Sequence, residues 1–416
     1  MAAKIRVLDS ANRTMQRLGY LKLLCARSAT FETSNLATLG NYLLETISKR
    51  VRIGPPLPED VRDYVRARLT DSAYRDLRKQ VLKDNGSSGP FAIEIQDVYL
   101  ANPSLPSRTG KLVKQNWRRY PYLATSLDLI KKGTYSALTR SLVLLNLTPK
   151  EELEAFERLD SSANPLRISR EQSLLFLYCF IDNDAEVLFP FMSQLLNWNG
   201  SSIPEKDAGQ LLPEIIRNAE KKHSTRLLPR EDRDRLATLR KVADSIEAWK
   251  ERHDTGGGAL RENVSVRLEP FCDLGLLTKP DRDRYEYRVT PQLKTLINQW
   301  RSVEDTEPFL ETRFFSTVAC CWNSQAVGAN EQEATDALIL AHDALKSPLG
   351  YSPITDLGLL AGIRLLAQKS RILELNQTTD LLKMLQKEDP NMVRFTVDRM
   401  GRTAYVKFLK PTAKQA

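Results

Sequence analysis

Histidine is scarce in this chain. The three residues, His223, His253 and His342, are spaced with neither cysteine nor carboxylate in the pattern that a metal site requires. Cysteine is scarce too: Cys25, Cys179, Cys272, Cys320 and Cys321 form no Cys-x-x-Cys pair, and adjacent Cys320 and Cys321 sit in an apolar stretch. Reduced cysteines buried as small hydrophobes are expected, without disulfides or zinc. No apolar run approaches a membrane span, and the first residues lack the apolar core of a secretory signal, so a cytoplasmic protein is expected. "RTGKL" at Arg108–Leu112 lacks the upstream Gly and the Ser/Thr of a phosphate-binding loop. Asp254-Thr255-Gly256 carries the tripeptide of aspartic proteases but follows the charged "IEAWKERH" where an apolar strand is needed, so it reads as a hinge. "DNDAE" (Asp182–Glu186) offers carboxylates that could hold Mg²⁺, but no lysine stands near it on a strand, and a helix N-terminus is the better reading. No enzyme, no cofactor and no metal is the expectation.

What the chain has in excess is positive charge, unevenly placed. Its 416 residues carry a net charge of +9. Residues 1–150 hold 25 Lys and Arg against 12 Asp and Glu; residues 151–342 hold 24 against 33; residues 343–416 hold 12 against 7. Basic ends around an acidic middle suit a chain that offers particular faces to a polyanion.

The length implies several domains. Period-3.6 patterns dominate. Met15, Leu18, Leu21, Leu24 and Cys25 share one helical face, and Leu36, Leu39, Tyr42, Leu43 and Ile47 another. "HDTGGGAL" is the clearest joint. "VRLEPFCDLGLLTKPDRDRYEYRVTPQL" (Val266–Leu293) then changes period three times. Leu268, Phe271 and Leu274 have helical spacing, with Pro270 placed near a first turn, and Gly275 suits a left-handed stop. Leu276–Lys279 and Tyr285, Tyr287, Val289 read as two strands around a turn at Pro280–Asp283, and Pro291 opens a helix.

The outline recurs. "SLDLIKKGTYSALT" (Ser126–Thr139) has a helix end, a Leu129-Ile130 strand, a Lys131-Lys132-Gly133 turn and a return strand closing in Leu138-Thr139. At the C-terminus, in a last unit starting at Ser352, "TTDLLKMLQKE" precedes Val393, Phe395 and Val397, an Asp398–Gly401 turn, then Ala404, Val406 and Phe408. The pattern "LGLL…Y.(V/L)T" behind an amphipathic helix resembles the winged helix-turn-helix proteins of bacteria and archaea. The expected fold is mainly α and multi-domain: a basic N-terminal region with a first winged-helix unit (1–150), an acidic helical middle (151–255), a second unit with following helices (256–345) and a third (346–416).

The resemblance implies a recognition helix directly before each wing, laid in the major groove of double-stranded DNA. In the first unit Leu112, Val113 and Trp117 face a core, while Lys111, Lys114, Gln115, Asn116, Arg118 and Arg119, with Lys131 and Lys132 on the wing, make the expected principal surface. Lys and Arg neutralise phosphates; Gln, Asn and Arg also pair with base edges. In the second unit Arg261, Asn263, Ser265 and Arg267 are offset by Glu262, Glu269 and Asp273, so packing or dimerisation is the better role there. The third unit offers a secondary surface of Gln377, Thr378, Lys383, Arg399 and Arg402, together with Thr379, Lys387 and Arg394. The expected function is non-enzymatic DNA binding, as a recognition component of a larger bacterial complex for defence, replication or regulation. The alternative is an assembly subunit whose winged helices dock proteins, with the acidic middle serving a protein partner or self-association. No membrane partner is expected.

Overall fold

The structure, a computed structural model, describes residues 5–8, 18, 21, 120–131, 134–135, 137–143, 168–224, parts of 233–247, 258–280, 286–303, 305–397 and 403–409. Among these the protein is mainly helical with small strands. No helix among them is long and apolar enough to cross a membrane. The chain forms two compact units interleaved in sequence: residues 1–134, 146–168 and 179–294 make one, and residues 135–145, 169–178 and 295–416 the other.

The N-terminal hairpin forms close to where the sequence puts it. Helix α1 (Tyr120–Ser126) leads to β1 (Ile130–Lys131), which pairs with β2 (Thr134–Tyr135), and α2 (Ala137–Val143) follows. The return strand is shorter than expected, because Leu138 and Thr139 belong to α2, where Leu138 and Leu142 share one buried helical face. The link from helix to strand is a Schellman turn: the Asp128 N–H donates to Thr125 O (3.0 Å) and the Leu129 N–H to Ala124 O (2.9 Å), around Asp128 at φ 57°. Aspartate tolerates this left-handed geometry better than most side chains.

The same turn recurs in the first compact unit. Helix α3 (Arg170–Leu196) runs into that unit, followed by β3 (Ile203–Pro204), α4 (Glu205–Gln210) and α5 (Leu212–Ser224). Helix α6 (Gly258–Asp273) then ends with the Gly275 N–H donating to Cys272 O (3.0 Å) and the Leu276 N–H to Phe271 O (2.8 Å), Gly275 standing at φ 70°. β4 (Leu277–Thr278) and β5 (Glu286–Val289) form the hairpin, and α7 opens at Pro291 (Pro291–Arg301). Strand β3 adds to the far side of β5, giving the order β3-β5-β4 with Ile203 opposite Tyr287 and Leu277 opposite Val289. One detail differs from the sequence reading: α6 starts at Gly258, so Pro270 lies in its last turn and not its first. Pro270 withholds one N–H from the helix ladder, and the packing of the buried residues Asn263–Cys272 offsets that loss.

The second compact unit contains α8 (Thr306–Thr312), α9 (Phe314–Trp322), β6 (Val327–Gly328), α10 (Glu331–Leu345), β7 (Ser352–Pro353), α11 (Ile354–Arg364), β8 (Arg371–Ile372), α12 (Leu375–Glu388), β9 (Val393–Val397) and β10 (Thr403–Phe408). One π-helical turn, Leu365–Lys369, extends α11 and ends at left-handed Ser370 (φ 55°). The order β7-β10-β9 repeats that of the first sheet. Leu338, Ala341, Leu357, Leu360, Leu382, Val393 and Val406 are buried beneath it.

The two sheets share a local sequence as well as a connectivity. Each first strand ends in a proline that caps the next helix in extended geometry, Pro204 (ψ 140°) and Pro353 (ψ 132°). From there both segments read Pro-x-x-Asp-x-Gly-x-Leu: Pro204, Asp207, Gly209, Leu211 and Pro353, Asp356, Gly358, Leu360. The helices before them also open alike. Ser169 and Gln172 exchange reciprocal capping bonds, as do Asn330 and Glu333.

Candidate nucleic-acid interface

Two helices stand directly before hairpins in three-stranded sheets, and their surroundings differ. On α6 every residue from Asn263 to Cys272 is buried. Arg267, 1% exposed, donates through Nε to Asp184 Oδ2 (2.7 Å) and through Nη2 to Asp184 Oδ1 (2.8 Å), and its Nη1 donates to Asn263 O (3.1 Å). The Leu8 N–H also donates to Asp184 (3.0 Å). Burial raises the Asp184 pKa, and the Arg267 guanidinium opposes that shift. A second sealed group lies at the base of the hairpin. Glu269 accepts from the Tyr287 hydroxyl (2.6 Å) and pairs with the Lys279 ammonium, which stands 5.2 Å from the centre of the Tyr287 ring. Burial raises both the Glu269 carboxyl and, well above its ordinary value, the Tyr287 hydroxyl. The polar residues of α6 that a groove-reading helix would present are thus spent inside the protein.

The "DNDAE" cluster is part of the same framework. It lies in the middle of α3, not at a helix N-terminus, and its carboxylates have cationic or basic partners. Asp182 takes Arg6 (3.4 Å), Asp184 takes Arg267, and Glu186 takes His223 (2.8 Å) and Lys222 (3.3 Å). Among the described residues no group of three His, Cys, Asp or Glu is placed to hold a metal ion. Cys179 and Cys272 are buried as expected, but Cys320 is exposed because it falls on the solvent side of the short helix α9. Burial pushes the neighbouring Cys321 thiol up to about 12.

Helix α12 has an outward face. Leu375, Thr378, Leu382 and Leu385 point into the unit, leaving Asn376, Gln377, Asp380, Lys383, Lys387 and Glu388 exposed, with Arg394 exposed on β9. Its start is fixed by Glu374, whose carboxylate accepts the N–H groups of Phe315 (3.1 Å) and Ser316 (2.7 Å) at the first turn of α9. Gln377 Oε1 accepts the Glu374 N–H (2.9 Å), which leaves one lone pair of that oxygen and both amide hydrogens for a ligand.

Lys383 therefore stands on the outward face, and Gln377 stands there with one lone pair of its oxygen already used. Thr378 does not: it is 1% exposed, and its hydroxyl abuts Gly358, where a Cβ would lie 2.9 Å away. The expectation fails there because Thr378 falls on the same helical face as Leu382 and Leu385, a periodicity legible in the sequence. Arg399 and Arg402, and Lys111, Lys114, Gln115, Asn116, Arg118, Arg119 and Lys132, lie outside the described residues; Lys131 is placed by its backbone, in β1. The Thr378 hydroxyl is buried without a hydrogen-bond partner. Thr378→Val is accordingly expected to stabilise the fold by about 1 kcal/mol, read by thermal unfolding. A loss of stability would show that the hydroxyl has a partner after all.

No protein-family model matches the chain, and no curated protein or solved structure matches it either.

Proposed function

We propose that the protein is a non-enzymatic DNA-binding protein built on winged-helix units, acting as a recognition component of a larger assembly. The reading rests on the common strand order of the two sheets, β3-β5-β4 and β7-β10-β9, each ending in a hairpin that a helix directly precedes. The single observation that carries DNA binding is the contrast between sealed α6 and open α12. In one unit the helix before the hairpin is structural; in the other it presents Lys383 and Lys387 one turn apart. The basic balance of residues 343–416 agrees with that face meeting phosphates.

Replacing Lys383 and Lys387 by Ala should weaken binding to all duplexes alike and lower the slope of log affinity against log salt by about 2, one for each phosphate left without its lysine. Asp380→Asn, on the same face, should strengthen binding. A salt-titrated mobility shift measures both. Unchanged affinity and slope in the folded double variant would remove α12 from the interface. The second reading, a protein-docking subunit, is favoured by the apolar side chains that the C-terminal unit exposes, Leu340 at 63% and Leu349 at 77%. Sedimentation that shows self-association at micromolar concentration, abolished on changing these leucines to Ser, would favour it.

A further inference from the structure

The open face of the β7-β10-β9 sheet is distinct from the α12 face. Along β10, Val406 and Phe408 point into the core, so Tyr405 and Lys407 point out. The register sets Tyr405 between Pro353 on β7 and Thr396 on β9, and Lys407 opposite Arg394. Tyr405, on the central strand, is 40% exposed and has short side chains on both flanks, which leaves its ring open to a planar group. The two cations stand two residues further along their strands, about 7 Å from the ring's row. Lys407 is held in place: its Nζ donates to Leu349 O (3.2 Å), its stem crosses Gly350, which stands at φ 80°, and its ammonium lies 5.5 Å from the centre of the Tyr351 ring. None of the described outward residues of the three strands is acidic.

We infer that this face binds single-stranded nucleic acid, with a base stacked on Tyr405 and the backbone phosphates neutralised by Arg394 and Lys407. A stacking ring beside fixed cations is what an unpaired strand requires, whereas the bases of a duplex are already stacked on one another and offer no free face. The inference rests on the nucleic-acid reading above and adds a ligand class and a second surface to it: α12 meets duplex, and the sheet takes an adjoining unpaired strand.

Fluorescence anisotropy of the full chain with labelled oligo-dT and with a blunt duplex tests it. Tyr405→Ala should lower oligo-dT affinity roughly 5- to 150-fold and leave duplex affinity unchanged, Tyr405→Phe should retain both, and Arg394→Ala should lower the oligo-dT salt slope by about 1. Photo-crosslinking of 5-iodouracil-substituted oligo-dT to the unaltered protein should map to Tyr405, which does not depend on any variant folding. Unchanged oligo-dT affinity in folded Tyr405→Ala, or a crosslink located elsewhere, overturns the inference while duplex binding through Lys383 and Lys387 still stands. If the protein binds neither duplex nor oligo-dT, the DNA-binding reading itself falls. A dimer broken by Leu349→Ser with Leu409→Ser, in a protein that does not bind oligo-dT, would assign this face to a second copy instead.

Discussion

Arg267→Ala should destabilise the first compact unit by about 3–5 kcal/mol, seen as an early transition in urea unfolding of the full chain. The loss is large because of what stays behind. Asp184 is completely buried, and its two strongest hydrogen bonds come from Arg267. Without the guanidinium, the Leu8 N–H is the one hydrogen-bond donor left to the carboxylate among the described residues. The sign of the pH dependence follows. Burial already raises the Asp184 pKa in the folded protein, and removing Arg267 removes the main opposing influence. The folded variant then binds a proton more tightly than its unfolded chain, so it regains stability as pH falls through the folded-state pKa towards the unfolded value. Arg267→Ala should consequently be least damaging in mild acid and most damaging at neutral pH. Replacing the pair together, Arg267→Met with Asp184→Leu, should recover most of the loss, since two apolar groups leave no buried charge. A double variant as unstable as Arg267→Ala alone would show that packing, and not the orphaned carboxylate, sets the cost.

Gly362→Ala should cost about 1–3 kcal/mol in the second compact unit, although alanine ordinarily favours a helix. A Cβ at Gly362 would lie 2.5 Å from Cε2 of Phe315 and 2.9 Å from the Leu373 carbonyl. The ring can rotate or shift, but it is fully buried and packs edge-on against Phe314 at 5.1 Å. The carbonyl belongs to the segment that leads into α12, so the strain falls on the same junction that Glu374 ties to α9. Phe315→Leu in the Gly362→Ala background should recover part of the loss by relieving the ring contact, although it gives up aromatic burial of its own. A thermal-unfolding cycle over the two single changes and the double measures the coupling. Additive effects would mean that the carbonyl, not the ring, limits the space.

These two variants mark the border between what sequence and tertiary structure decide. Local chemistry determined the hairpins. Gly275 ends α6 where a left-handed residue was needed, Pro291 opens α7, and the alternation of Val393, Phe395 and Val397 and of Ala404, Val406 and Phe408 placed the last two strands, although Val397 is exposed. These signals are legible because they depend on a residue's own backbone preferences and on a period of two or 3.6 within a short window. The outward setting of Lys383 and the inward one of Thr378 were written in the same period.

The acidic residues along α6 already pointed to packing, but tertiary structure alone supplied the partners that bury it. The sequence of α6 offers Asn263, Ser265, Arg267 and Glu269 as polar groups, yet all four are buried, because Asp184 on α3 meets Arg267 and Lys279 meets Glu269. A charged residue costs too much to bury alone, so sequence reading sends it to the surface. A partner of opposite charge far along the chain, 83 residues away for Asp184 and Arg267, reverses that balance. The pairing of β3 with β5 and of β7 with β10 was hidden for the same reason: each first strand has only two residues, too few to show a period, and it becomes a strand only when the hairpin is beside it. The sequence by itself determined where the helices stop and the hairpins turn, since those are short-range steric choices. Which polar face is sealed and which is open was decided by contacts between distant segments, because burial energy depends on partners that no local window contains.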